Sequence, residues 1–252
     1  MARQDKFLGA VRSLWELSLP LPVGFGTRRP PTYVGARDHR PTAFSAPRSF
    51  EDGTAERLTS AAADSKASLR KEGLARRKGL PDEARSRLTE RLLSEGVRLA
   101  RLRNASIVSA FHSIREEPDT LALLTALANQ GFATALPAVV GPTTHLEFRL
   151  WRPGDPVLIG RMGIPEPLDS SPAVDPDLLF VPLACFDRRG HRIGYGAGYY
   201  DRSLERLRGM KDVLAVGVAY GVCEVGAVPY EAHDEPLDVI LTERETIILR
   251  DL

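Results

Sequence analysis

Residues 178–186 read LLFVPLACF, a run with no charged residue. A strand with one wet face alternates apolar and polar residues. A run that is apolar throughout belongs to a strand buried on both faces, the central position of a parallel sheet sandwiched by helices. The neighbouring segments agree. ASIVSAF (105–111), FATALPAVV (132–140), DVLAVGVAY (212–220), LDVIL (237–241) and TIIL (246–249) read as strands, and HLEFRLW (145–151) alternates like a half-exposed one. DTLALLTALANQG (119–131) reads as a helix capped by Asp119 or Thr120 and stopped by Gly131, and YYDRSLERLR (199–208) as another. Strands alternating with helices imply right-handed crossovers. The expected fold class is therefore α/β: three layers, a mostly parallel sheet with helices on both faces, Rossmann-like in plan.

Upstream of this alternation the pattern is helical from about Ala61. SKASLRKEGLARRKG (65–79) ends at a glycine stop. PDEARSRLTERLLSEGVRLARLR (81–103) has acids at its start and bases at its end, with Leu88, Leu92, Leu99 and Leu102 roughly on one face. Residues 1–58 differ. They are rich in Pro, Gly and Arg and keep no period, so they read as an extended or disordered tail, with a short helix near Phe7–Leu17, ahead of a catalytic domain over 59–252. Trp15, Phe25 and Tyr33 are the aromatics there that can dock on the domain or a partner.

Thirty-four basic and 33 acidic residues leave a formal charge of +1, so no global field points to nucleic acid or an anionic membrane. No stretch reaches the ~18 apolar residues of a membrane span, and Arg12 and Glu16 interrupt the N-terminal apolar segment that a secretory leader would keep clean. Cys185 and Cys223 both sit in apolar runs, which favours buried, reduced thiols in a cytoplasmic protein over a disulfide or a metal site.

The loop IGYGAGYYDR (193–202) follows the apolar strand and opens a helix, where open α/β sheets bind ligands. Gly194, Gly196 and Gly198 lack Cβ atoms, so successive N–H groups can face an anion, and the helix adds the positive end of its dipole. Arg202 can return to phosphates, and Asp201 can hold magnesium. The spacing is G-x-G-x-G, with no Lys-Ser or Lys-Thr after it, so this is neither the dinucleotide fingerprint nor a P-loop. By itself the loop admits two readings: a phosphate cradle or a plain strand-to-helix turn. Tyr199 and Tyr200 read equally as core packing.

FDRRGHRIGYGAGYYDR (186–202) resembles the signature of the 5-formyltetrahydrofolate cyclo-ligase family, also called methenyltetrahydrofolate synthetases. KASLRKEGLARRK (66–78), REEPDTLALLTALANQGFATALPAVV (115–140), LEFRLWRPGDPVLIGRMGIPEP (146–167) and VPYEAHDEPLDVILTE (228–243) resemble the other family blocks in the same order, over about 64–245. The resemblance implies an enzyme that uses ATP as co-substrate with magnesium, closing 5-formyltetrahydrofolate to 5,10-methenyltetrahydrofolate with release of ADP and phosphate. Its partners would be these small molecules, and it would act as a monomer.

Residue by residue, the resemblance assigns ATP to Lys66, Ala67, Ser68, Leu69 and Arg70 and to Gly194, Tyr195, Gly196, Ala197, Gly198, Tyr199, Tyr200, Asp201 and Arg202. Lys66, Arg70 and Arg202 would serve the chemistry. Arg76, Arg77 and Lys78 would extend the positive field. Asp201 and Asp234 would bind magnesium, and Glu117 and His112 the folate. Trp151 and Met162 either wall the pterin pocket or pack in the core. Without the resemblance, residues 66–78 read as a solvated basic face, Asp234 as a turn residue and Glu117 as a loop carboxylate. Three positions depart from the family pattern. Ala197 stands where a glycine or a base is expected, SAFHSI lacks a tyrosine, and Pro118 follows Glu117 directly. The competing readings are a non-catalytic nucleotide- or folate-binding regulator on the same fold and a sugar-phosphate isomerase-like enzyme that needs no ATP.

Overall fold

A computed structural model of the chain describes residues 52–252, with side chains from residue 64 onward. Most of the tail expected over 1–58 lies outside the described residues. Helix α1 (Asp52–Lys78) is already under way at residue 58, ahead of the start expected near Ala61, and it ends where Gly79 predicts. Helix α2 (Asp82–Arg91) passes through a π-turn at Leu92–Gly96 into α3 (Val97–Leu102). A π-turn winds less per residue than an α-helix, so it turns the following residues off the original face. Leu88, Leu92 and Leu99 are fully buried as expected, whereas Leu102 is 54% exposed. Gly96 lets this turn approach the sheet: a Cβ there would meet Leu123 at 2.7 Å and Phe180 at 3.1 Å.

The main sheet has eight strands. Five are parallel and adjacent: β11 (Val239–Leu241), β10 (Leu214–Val218), β7 (Leu178–Pro182), β1 (Ile107–Ser109) and β2 (Ala133–Ala138). Antiparallel strands close both edges: β12 (Thr246–Ile248) beside β11, and β3 (Glu147–Leu150) followed by β6 (Ala173–Val174) beside β2. Helices α4 (Leu121–Asn129) and α5 (Tyr199–Arg208) fall where the sequence places them. Thr120 is the N-cap residue of α4, Asp119 just before it accepts the Leu121 N–H at 2.9 Å, and Gly131 follows the helix end at φ +89°. The protein is the expected three-layer α/β fold, with β7 at the centre and Leu178, Leu179, Phe180 and Val181 all excluded from water.

One expected strand divides. The run 178–186 forms β7, then breaks after Pro182, and Cys185–Phe186 become β8, paired antiparallel with β9 (Arg192–Ile193) in a separate ribbon. Proline brings no N–H to a ladder, which is a physical reason for the parallel pairing to end there. A further hairpin, β4 (Val157–Ile159) with β5 (Pro165–Pro167), is not evident from the sequence.

Helix α1 lies hard against this ribbon. A Cβ on Gly73 would stand 2.2 Å from the Ala184 carbonyl oxygen. Cys185 and Cys223 direct their thiols at the Leu69 and Gly73 carbonyls of α1, at 3.7 and 3.8 Å. Both are buried and unpaired, as expected, and burial pushes the Cys185 thiol up to about 12.

Candidate functional site

The ribbon fixes the entry to the glycine loop. Asp187, 1% exposed, accepts the backbone N–H groups of Arg189, His191 and Val228 and the Arg189 guanidinium. Burial alone would raise its carboxyl, but these donors outweigh it and hold it at about 2. Gly196 (φ +97°) and Gly198 (φ +65°) occupy the left-handed region, and Gly198 is the residue before α5. Gly194 does not, and a Cβ there meets nothing within 4 Å. Two of the three glycines therefore serve backbone conformation.

The loop bends around Arg70. Its Nε donates to the Gly194 carbonyl at 2.7 Å, and a Cβ on Gly196 would touch its guanidinium at 3.2 Å. Arg202 braces the loop from the other side, donating to the Ala197 carbonyl at 2.8 Å and the Thr144 carbonyl at 3.0 Å. Exposed Ala197 thus offers its carbonyl to Arg202, while Tyr199 and Tyr200 pack against the core.

Lys66 sits one turn before Arg70 on the same face of α1. Its ammonium lies 2.6 Å from Asp234 and 3.2 Å from Glu231. Burial opposes both charges, yet the contact wins: Lys66 is raised and Asp234 lowered from their ordinary values. Ala67 and Ser68, between the two cations, face solvent, and Leu69 packs on Cys185, Ile193 and Val228. Asp201 is held separately, by the Arg192 guanidinium at 2.6 Å and the Glu235 N–H at 3.3 Å. Among the described residues, Glu231, His233 and Asp234 bring their ligand atoms within 4.8 Å of one another, and Asp201 is outside that group. Two carboxylates suit a hard divalent cation.

Glu117 is buried, so the solvated-loop alternative does not hold. Its Oε2 accepts the Ile114 N–H at 2.9 Å and its Oε1 the Tyr195 hydroxyl. Burial raises the Glu117 carboxyl despite both donors, and burial with the nearby carboxylate pushes the Tyr195 phenol up to about 12. The Tyr195 oxygen in turn accepts Arg77 Nη2 at 3.1 Å. Tyr195 therefore ties the glycine loop to Glu117.

A cavity of about 160 Å³ opens beyond the carboxyl end of β1, lined among others by Phe111, His112, Thr120, Leu121 and Trp151. His112 Nδ1 is buried there without a hydrogen-bond partner. Trp151 is 6% exposed and donates its indole N–H to the Asp155 carbonyl at 3.1 Å, so it is both core and cavity wall. Glu117 is not among the lining residues, and Met162 lies apart from them, 54% exposed after β4. Sequence reasoning missed Glu231 and Arg192, whose neighbours were named, and the depth of Arg77.

Fold and site together define a three-layer α/β protein that carries a cation-bearing helix beside a glycine turn, a buried carboxylate tied to that turn, and an aromatic-walled cavity. The chain belongs to the 5-formyltetrahydrofolate cyclo-ligase family, an enzyme family, whose profile matches residues 62–243. It is 36% identical over 144 residues to the 5-formyltetrahydrofolate cyclo-ligase of Haemophilus influenzae, covering 55% of this chain and 76% of that one. It is 29% identical over 194 residues to the enzyme of that name in Mycolicibacterium smegmatis, covering 73% and 96%. The solution structure of Aquifex aeolicus 5,10-methenyltetrahydrofolate synthetase superposes with a TM-score of 0.63 at 33% identity, over 74% of this chain and 94% of that one. A synthetase structure from Mycoplasma pneumoniae, at 20% identity and a TM-score of 0.55, shares the fold.

Proposed function

We propose that the protein uses ATP and magnesium to close 5-formyltetrahydrofolate to 5,10-methenyltetrahydrofolate, releasing ADP and phosphate. A formamide oxygen leaves poorly. Its phosphorylation makes the formyl carbon electrophilic, N10 of the same folate attacks that carbon and releases its proton to solvent, and the phosphate departs with the formyl oxygen, leaving the methenyl bridge between N5 and N10. The protein's part is to position the two substrates and to offset phosphoryl charge.

The observation that carries this reading is the bond between Tyr195 and Glu117. It joins the loop suited to phosphates to the buried carboxylate suited to the aminopyrimidine edge of a pterin. Lys66, Arg70 and the N–H groups of residues 194–198 would receive the triphosphate. The pterin would enter the cavity walled by His112 and Trp151, with Glu117 behind it. Glu231 and Asp234 would hold magnesium, with Asp201 near the opening of α5. When bound, the ion would neutralise phosphate charge.

We assign the activity to the compact unit Ser49–Leu252, working in the cytoplasm as a monomer. Two buried, unpaired thiols accord with that compartment. No described helix is long and apolar enough to cross a membrane. The test is ultraviolet detection of methenyltetrahydrofolate when purified protein meets 5-formyltetrahydrofolate and Mg-ATP. Product formation that requires ATP supports the reading, and absence of product refutes it.

A further inference from the structure

Arg77 is 3% exposed. Among the described residues no carboxylate lies within ion-pair distance of its guanidinium, and its Nε–H has no hydrogen-bond partner. A buried cation left in this condition is costly, because the protein interior screens and solvates it poorly. Its one side-chain hydrogen bond goes to a neutral atom, the Tyr195 hydroxyl, at 3.1 Å. Glu117 feels the charge across space but shares a hydrogen bond with it only by way of that hydroxyl.

The position is specific. Lys66, Arg70, Gly73 and Arg77 follow one another at helical spacing along one face of α1. Lys66 reaches the 231–234 carboxylates, Arg70 reaches the glycine loop, and Arg77 reaches the point where that loop meets Glu117. The neighbouring bases do not share this setting. Arg76 is exposed and donates to the Val222 and Glu224 carbonyls, and Lys78 faces solvent.

We propose that Arg77 binds the phosphoryl group in transfer. This rests on the reaction proposed above. An anionic phosphoryl oxygen would take the guanidinium position that the Tyr195 hydroxyl takes in this structure, leaving that hydroxyl to Glu117. In the step concerned, the bond between the γ-phosphorus and the ADP oxygen breaks and its electron pair leaves with ADP. The formyl oxygen forms the new bond to phosphorus. Arg77 transfers no proton. It donates hydrogen bonds to non-bridging oxygens while their charge redistributes, from a guanidinium that is itself buried.

The experiment compares the full-length protein with Arg77→Met and Arg77→Lys, measuring kcat, KM for each substrate, thermal unfolding, and affinity for a non-hydrolysable ATP analogue. The expected result is a loss of about 100-fold in kcat for Arg77→Met. KM for folate and affinity for the analogue hold near wild type, and Arg77→Lys restores part of the lost kcat. A role confined to packing would lower the unfolding temperature while leaving kcat per folded molecule at the wild-type value, and that result overturns the proposal. If Arg77→Met does not fold, Arg77→Lys decides alone: a reduced kcat at unchanged KM supports the role, and a wild-type kcat overturns it. A wild-type protein that forms no methenyltetrahydrofolate overturns the reaction and this inference together, whereas wild-type turnover matched by Arg77→Met overturns this inference only.

Discussion

The Lys66 ammonium stands 2.6 Å from the Asp234 carboxylate, so a cation expected to meet phosphate and a carboxylate expected to meet magnesium are paired with each other. Under the proposed function, Mg-ATP would give each a new partner. Asp234→Asn should then raise the magnesium concentration for half-maximal rate by at least ~10-fold, judged by how strongly metal sites respond to loss of a supporting group. A magnesium titration of the steady-state rate checks this. An unchanged midpoint would remove Asp234 from the metal site. The pair also makes a pH statement about stability. Asp234 is lowered in the folded state and Lys66 raised, so their contribution is whole at neutral pH. It is lost in acid as pH falls through the Asp234 value, and in alkali as pH rises through the Lys66 value.

Glu117 makes the second prediction. Under the proposed function folate would be held by the ionised carboxylate, and burial raises this carboxyl above the ordinary range. KM for 5-formyltetrahydrofolate should climb on acidification earlier than an ordinary carboxylate allows, while KM for ATP stays level. Glu117→Gln should abolish that pH dependence and raise the folate KM by roughly 10-fold or more, the loss of one charge-assisted hydrogen bond. Steady-state kinetics between pH 5 and pH 8 read both effects. A pH profile retained in the Gln variant would assign the titration elsewhere.

The glycine loop separates conformation from contact. Gly194→Ala meets open space at an ordinary φ, and it should leave the unfolding temperature near wild type. Gly196→Ala forces a Cβ into the left-handed region against Arg70, and Gly198→Ala does so against Arg202 at 2.7 Å. Each should cost roughly 1–2 kcal/mol and weaken ATP binding. Thermal unfolding with nucleotide titration distinguishes the three, and equal effects would show that the loop conformation is not what the glycines serve.

Much of this fold is legible in the sequence. The α5 boundaries and the parallel core followed from periodicity, because long, strongly patterned segments override local noise. The 157–167 hairpin did not: its strands are only three residues long, and β5 begins and ends on Pro165 and Pro167, which on sequence alone argue against strand. Pro182 did carry the signal for the break between β7 and β8, but it was masked by the apolar run around it. In the site, Lys66, Arg70, Glu117 and Asp234 came from the family resemblance and not from their local pattern. Tyr195 was grouped with nucleotide contacts because side-chain reach from a loop is invisible in sequence. Arg77 read as one of three solvated bases, although its spacing from Gly73, a residue that must face a close neighbour, placed it on the buried side.

Asp187 supplies a stability test away from the chemistry. Its folded carboxyl, at about 2, lies below the ordinary 3.8, so it stabilises the fold at neutral pH and that contribution fades as pH falls from about 4 to about 2. A shift of this size corresponds to about 2 kcal/mol. Asp187→Asn should lower stability by that order at pH 7 and by much less near pH 2, as read by urea unfolding at each pH. An equal loss at both would mean that shape, not charge, is what the position supplies.

The central claim is that the formyl oxygen becomes a phosphate oxygen within this site. The direct measurement uses 5-formyltetrahydrofolate labelled with ¹⁸O in the formyl group, Mg-ATP and the purified protein, followed by mass analysis of the phosphate released. The account predicts one labelled oxygen in that phosphate for each methenyltetrahydrofolate formed. Unlabelled phosphate with the label in water would contradict it, because the oxygen would then have left without passing through phosphorus.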